Sequence, residues 1–282
     1  MTTETTEVTV NDRTVTARHG RVQVRDYVPS AEISAAPFVW VHGGGFGAGS
    51  LDMAESHMVA MKIAATGRRV TTVDYHLVPR FPLIGRFRMK PSEHRYPVPV
   101  DDVTDVFLDV AARHPDRGIV LGGASAGACL AASAAIRLRD SGAATPTGLV
   151  LIYGLFHARL PAMSQSLRSR LRGIARLGVA PEMTRRMTLN YAGTEAVWND
   201  PGAFPGTADV HGLPPTLMLN ADHDALRASG DAFAEHLRSA DVRLDAFLVP
   251  GARHGFLDKP HSEGFNEGIT TMTEWLDRLK QE

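Results

Sequence analysis

Residues 119–130 read Ile119-Val120-Leu121-Gly122-Gly123-Ala124-Ser125-Ala126-Gly127-Ala128-Cys129-Leu130. A short apolar run enters a Gly-x-Ser-x-Gly turn, Gly123 to Gly127, and an Ala-rich helical run leaves it. A strand that turns this sharply into a helix forces the central residue into a strained backbone and brings neighbouring chain close, which only small residues permit. The serine oxygen is then exposed above the strand, and the helix N-terminus adds a positive dipole where negative charge would develop. Taken alone, the motif also fits a Gly-rich helix start that merely packs closely.

Working outward, short apolar runs alternate with helix-length segments. Strands are predicted at 38–41, 70–73, 119–121, 149–153, 216–219 and 244–249. Helices are predicted near 54–66, 100–114, 126–138, 230–239 and 263–279. Fully apolar strands alternating with helices argue an α/β domain with a parallel sheet covered on both faces. Ligands on such sheets sit at the carboxyl ends of the strands. The first 28 residues differ: Val8 and Val10, Thr14 and Thr16, Val22 and Val24 keep period two, with turns expected at Asn11-Asp12 and His19-Gly20. That pattern predicts a small antiparallel meander.

Residues 1–282 are expected to form one domain with two interruptions. A basic, Pro-containing insertion spans about 80–92. About 50 residues, 155–205, separate two strands, more than a crossover loop needs. There Leu167, Leu171, Ile174 and Leu177 recur at helical spacing, as do Met183, Met187 and Tyr191, so a helical lid over the sheet edge is predicted.

The composition excludes several classes. Apolar residues make up 44% and charged residues 22% of 282, so a packed globular chain is expected. With 30 basic and 31 acidic residues the net charge is −1, which suggests no nucleic-acid partner. The basic clusters at 80–95 and 168–176 read as solvated faces. Cys129 is the one cysteine, so no intrachain disulfide forms, and it reads as a small buried hydrophobe. The N-terminal residues lack a signal-peptide pattern and no 18-residue apolar stretch occurs; a cytoplasmic protein without an integral membrane segment is expected. A homodimer is left open.

Directly after the strand at 38–41 comes His42-Gly43-Gly44-Gly45-Phe46. Three consecutive glycines are entropically costly and make sense where backbone N–H groups must turn toward a ligand, such as the oxyanion formed when a carbonyl is attacked. A phosphate loop would need a following Gly-Lys-Ser/Thr, which is absent. A serine nucleophile needs a base. Of 12 histidines, His254 stands in Pro250-Gly251-Ala252-Arg253-His254-Gly255-Phe256, a turn just after the last strand. His57, His76, His94 and His114 have no such context and read as structural or solvent-exposed. For the acid, Asp222 and Asp224 in Asn220-Ala221-Asp222-His223-Asp224 compete, and position alone does not separate them.

In chain order these pieces, with Val73-Asp74-Tyr75-His76-Leu77-Val78-Pro79 and His254-Gly255-Phe256, resemble the hormone-sensitive-lipase-like esterases, bacterial family IV. The resemblance runs from about residue 38 to 276. It implies the α/β-hydrolase fold: a mostly parallel central sheet, helices on both faces and a helical lid insertion. It implies a serine carboxylesterase acting through an acyl-enzyme, with a small-molecule ester as partner and no metal or organic cofactor; the lid expected at 155–205, without an N-terminal helical part, predicts short- to medium-chain esters. Asp224-Ala225-Leu226 matches the family's Asp-Pro-Leu, so the implied catalytic set is Ser125, Asp224 and His254. The implied oxyanion donors are Gly44, Gly45 and Ala126, supported by His42 and Gly43. Several features depart from the family. Ala124 replaces an acidic residue, Cys129 a frequent asparagine, residues 80–92 intervene before Glu93-His94-Arg95-Tyr96-Pro97, and strands stand where an N-terminal helical cap is common. A lactonase, amidase or small peptidase fits the same residues. A non-catalytic binder like the plant gibberellin receptors, which lack the histidine, fits less well.

Overall fold

The computed structural model describes residues 6–80, 88–171 and 181–279. Eight strands form one sheet: β1 (Val8–Ala17), β2 (Gly20–Pro29), β3 (Phe38–Val41), β4 (Val70–Asp74), β5 (Val120–Ala124), β6 (Gly148–Ile152), β7 (Thr216–His223) and β8 (Leu244–Arg253). Their spatial order is β1-β2-β4-β3-β5-β6-β7-β8. β1 and β2 form an antiparallel hairpin, and β2 pairs antiparallel with β4; every other pairing is parallel. Among the described residues the α-helices are α1 (Ala54–Ala64), α2 (Val98–Arg113), α3 (Ala126–Ser141), α4 (Gln165–Arg170), α5 (Pro181–Ala192), α6 (Arg227–Ser239) and α7 (Glu263–Arg278).

The apolar strands are explained by burial on both faces. Along β3, Val39 and Val41 join a core with α2, α3 and α6, while Phe38 and Trp40 join a second core with α1 and α7. All four side chains are buried, so the strand has no polar face to alternate with. Along β2 the alternation follows burial: Val22 and Val24 are buried in the first core between exposed or half-buried neighbours, whereas Tyr27, on the opposite face, is buried in the second core.

Asn11-Asp12 is not a turn; both lie inside β1, paired with Asp26 and Arg25. Arg25 bridges Asp12 and Asp52, so polar partners across the strand replace the expected chain reversal. Helix α2 begins two residues earlier than its apolar period suggested, because Pro99 fits the first turn, where no intrahelical N–H bond is lost.

Between β6 and β7 lie α4 and α5. Leu167 and Leu171 are buried against Ala225 and Ala228 at the start of α6. Ile174 and Leu177 of the expected periodic stretch, and residues 81–87 of the shorter insertion, lie outside the described residues. Arg95 is not simply solvated: it donates to the carbonyls of Lys90, Ser92 and Asn190, tying the chain before α2 to α5. Among the described residues no helix is long and apolar enough to cross a membrane.

Candidate active site

Four loops converge at the carboxyl edge of the sheet, following β3, β5, β7 and β8. The turn after β5 carries Ser125 at φ 54° and ψ −115°, a conformation that costs a non-glycine residue about 1–3 kcal/mol. The strain is held from both sides. Ser125 N–H donates to the Ile152 carbonyl at 2.9 Å, and its own carbonyl accepts from Cys129 N–H at the first turn of α3. Gly123 and Gly127 allow the approach. A Cβ on Gly127 would lie 2.2 Å from the Val41 carbonyl oxygen, and one on Gly123 would lie 2.5 Å from Gly127 backbone.

The loops after β7 and β8 meet the serine. Ser125 Oγ lies 2.9 Å from His254 Nε2, and His254 Nδ1 lies 2.7 Å from Asp224 Oδ2. The second oxygen of Asp224 accepts the Leu226 N–H at 2.9 Å. Asp224 is 2% exposed and Ser125 6% exposed. Desolvation opposes the charged imidazole, but the Asp224 carboxylate, its hydrogen bond and the charges of Glu55 and Asp258 outweigh it, so the His254 pKa is raised above its ordinary value. Such a relay can take a proton from a hydroxyl and hold the resulting imidazolium.

Asp222, the competing acid, points elsewhere. Both its oxygens accept from Arg170 at 2.8 Å, and Oδ2 accepts the Gly251 N–H at 3.3 Å. It clasps α4 to the ends of β7 and β8 and touches neither Ser125 nor His254.

The glycine loop after β3 passes beside the serine. Gly44 and Gly45 have φ of 102° and 61°, and Phe46 has 65°. The Gly43 N–H is committed to Glu55 Oε1 at 2.5 Å. By contrast, Gly44 and Gly45 N–H donate to no group among the described residues. Ala126 is the first residue of α3, so its N–H has no intrahelical acceptor. The loop's shape is fixed by its side chains. His42 stacks on Tyr75 with ring centroids 4.7 Å apart, its Nδ1 lies 2.8 Å from the Gly43 carbonyl, and Tyr75 donates to the same carbonyl at 3.1 Å. Phe46 stacks on Tyr191 of α5 at 4.0 Å, and a Cβ on Gly45 would lie 2.5 Å from Met187 Sδ.

The structure thus gathers Ser125, His254, Asp224, Gly44, Gly45 and Ala126, with His42 and Gly43 shaping the loop. Glu55 and Tyr153 were not foreseen. Glu55 was legible only as an acid in the first turn of a predicted helix, where the dipole favours it. Cys129 is buried, its Sγ 3.5 Å from the Ala203 carbonyl, with the thiol pKa pushed well up by burial. Among the described residues no cluster of His, Cys, Asp or Glu could hold a metal ion.

Residues 38–258 match a family model described as alpha/beta hydrolase fold. An esterase of Acinetobacter venetianus is 30% identical over 83% of this chain and 72% of its own length. An ethyl acetate hydrolase of Pseudomonas putida is 28% identical over 95% of the chain and 82% of its own. Among solved structures, an esterase of Pyrobaculum calidifontis superposes with a TM-score of 0.81 at 29% identity, covering 96% of this chain and 85% of that one.

Proposed function

Because this chain belongs to the alpha/beta hydrolase fold family, we propose that Ser125, His254 and Asp224 are the catalytic triad through which it hydrolyses carboxylic esters. It is an esterase of the hormone-sensitive-lipase-like kind, acting through a serine and an acyl-enzyme. The observation that carries the residue assignment is the hydrogen-bonded relay of 2.7 and 2.9 Å ending on a serine held in a strained turn. A non-catalytic binder has no need of that relay.

Ser125 Oγ attacks the ester carbonyl while His254 Nε2 takes its proton. The carbonyl oxygen, now negative, sits toward the free N–H groups of Gly44, Gly45 and Ala126. As the tetrahedral intermediate collapses, the C–O bond to the alcohol breaks and His254 returns the proton to the leaving oxygen. Water then attacks the acyl-enzyme with His254 again as base, releasing acid and restoring Ser125. Asp224 keeps the imidazole oriented and stabilises its charged form throughout. No step calls on a cofactor.

We read the described parts of the segment between β6 and β7, 155–171 and 181–205, as the lid, with α5 over the glycine loop. Met187 against Gly45 and Tyr191 on Phe46 fill space close to the serine, which favours a short acyl pocket. Each methylene that does find apolar burial gains about 0.8 kcal/mol, so pocket length should appear directly as chain-length preference. Initial rates on p-nitrophenyl esters test this. kcat/KM should peak with acyl chains of about two to six carbons and fall beyond about eight. A maximum at about twelve carbons or more would mean a deep apolar channel and would overturn the pocket reading.

A further inference from the structure

Five acidic side chains are buried among the described residues: Glu55, Asp101, Asp102, Asp222 and Asp224. Asp101 is paired with Arg18, His19 and Arg137, Asp102 with His76, Asp222 with Arg170, and Asp224 with His254. Glu55, 2% exposed, has no basic partner at ion-pair distance among the described residues. Burying a carboxyl without a cation is costly, and leucine at this helix position would avoid the cost. Its two oxygens instead hold two pieces of the site. Oε1 accepts the Gly43 N–H at 2.5 Å and Oε2 accepts the Tyr153 hydroxyl at 2.5 Å. Tyr153, fully buried at φ 37°, sets its ring edge against His254 at 5.0 Å and Phe256 at 4.8 Å. Glu55 is itself pinned: its N–H donates to Asp258 Oδ1 at 3.0 Å and its carbonyl accepts Trp40 Nε1–H at 2.8 Å.

From this geometry we infer that Glu55 is a positioning residue for ester hydrolysis. Its carboxyl group ties the glycine loop to the Tyr153 ring that packs on His254, so that the free loop amides and the imidazole keep one fixed spacing across Ser125. The inference rests on the triad reading above. The amide of Gly43 is consumed in the tie, which leaves Gly44 and Gly45 to face the substrate. Misplacing such donors by about 1 Å costs rate rather than binding.

The test uses Glu55→Gln, Tyr153→Phe, their double variant, and Ser125→Ala as reference, assayed on p-nitrophenyl acetate with thermal melts beside each. Glutamine keeps the reach to Gly43 but turns an N–H₂ toward the tyrosine and removes the charge near His254. Glu55→Gln and Tyr153→Phe should each lower kcat roughly 10- to 100-fold with KM within about threefold. The double variant should be little worse than the poorer single, and Glu55→Gln should move the acid limb of kcat/KM to lower pH. If both single variants melt like the parent and keep kcat within about threefold with the acid limb unmoved, Glu55 has no positioning role. In that case loss of turnover in Ser125→Ala leaves the triad standing, whereas full turnover in Ser125→Ala overturns both readings.

Discussion

Replacing Asp224 with asparagine preserves the shape of the site and removes the charge that holds His254 in its working tautomer. The carboxylate sits 2.7 Å from Nδ1 and is nearly inaccessible to water, so the bond is charge-assisted and poorly screened. Asparagine would turn its N–H₂ toward Nδ1 and push the ring proton to Nε2, the nitrogen that must accept the serine proton. The loss in kcat should be roughly 10³- to 10⁴-fold, or about 4–5.5 kcal/mol of transition-state stabilisation. Asp222→Asn is the matched control, two residues away. Its partners Arg170 and Arg227 lie outside the Ser125–His254–Asp224 relay, so weakening these pairs costs stability rather than turnover. The Gly251 N–H can still be accepted by an asparagine oxygen. kcat/KM for Asp222→Asn should therefore stay within about threefold of the parent. Steady-state kinetics on p-nitrophenyl acetate, with melts to confirm folding, decide it. If Asp222→Asn loses as much as Asp224→Asn, the acid has been misassigned.

Three further outcomes follow. His254 must be neutral to act as a base, so kcat/KM should rise with pH through its pKa; because that pKa is raised, the midpoint should lie above 6.5, and a pH–rate profile with a midpoint below 6.5 would contradict the geometry. Gly127→Ala should destabilise the fold by about 3 kcal/mol, since the added methyl meets backbone oxygens of Val41 and His42 at 2.2 and 2.5 Å that cannot move aside; calorimetry should show Tm falling by several degrees, and an unchanged Tm would refute the close packing. Native protein should keep its activity in iodoacetamide, because burial holds the Cys129 thiol protonated and inaccessible; rapid inactivation that Cys129→Ala prevents would show otherwise.

Much of this was legible because the chemistry leaves local marks. The glycine run 43–45 and the small residues at 123 and 127 exist where backbone must pass close to backbone, and sequence records that directly. β3 and β5–β7 showed as continuous apolar runs because both faces are covered. The choice between Asp222 and Asp224 was not local. It depends on where the chain bends after β7, and Asp222 finds Arg170 from a helix 52 residues earlier in the chain. Only the family resemblance favoured Asp224. Glu55 was invisible for the same reason: its partners are Gly43 and Tyr153, 12 and 98 residues away. Asn11-Asp12 looked like a turn because both residues favour turns, yet cross-strand pairing of Asp12 with Arg25 outweighs that preference.

The central claim is that Ser125 is the nucleophile activated by His254. Treating the protein with a fluorophosphonate and mapping the adduct by mass spectrometry tests it most directly. One phosphonyl group should appear on Ser125, with activity lost in proportion to labelling, and both Ser125→Ala and His254→Ala should resist the reagent. An adduct on another serine, or activity that survives complete modification of Ser125, would contradict the account.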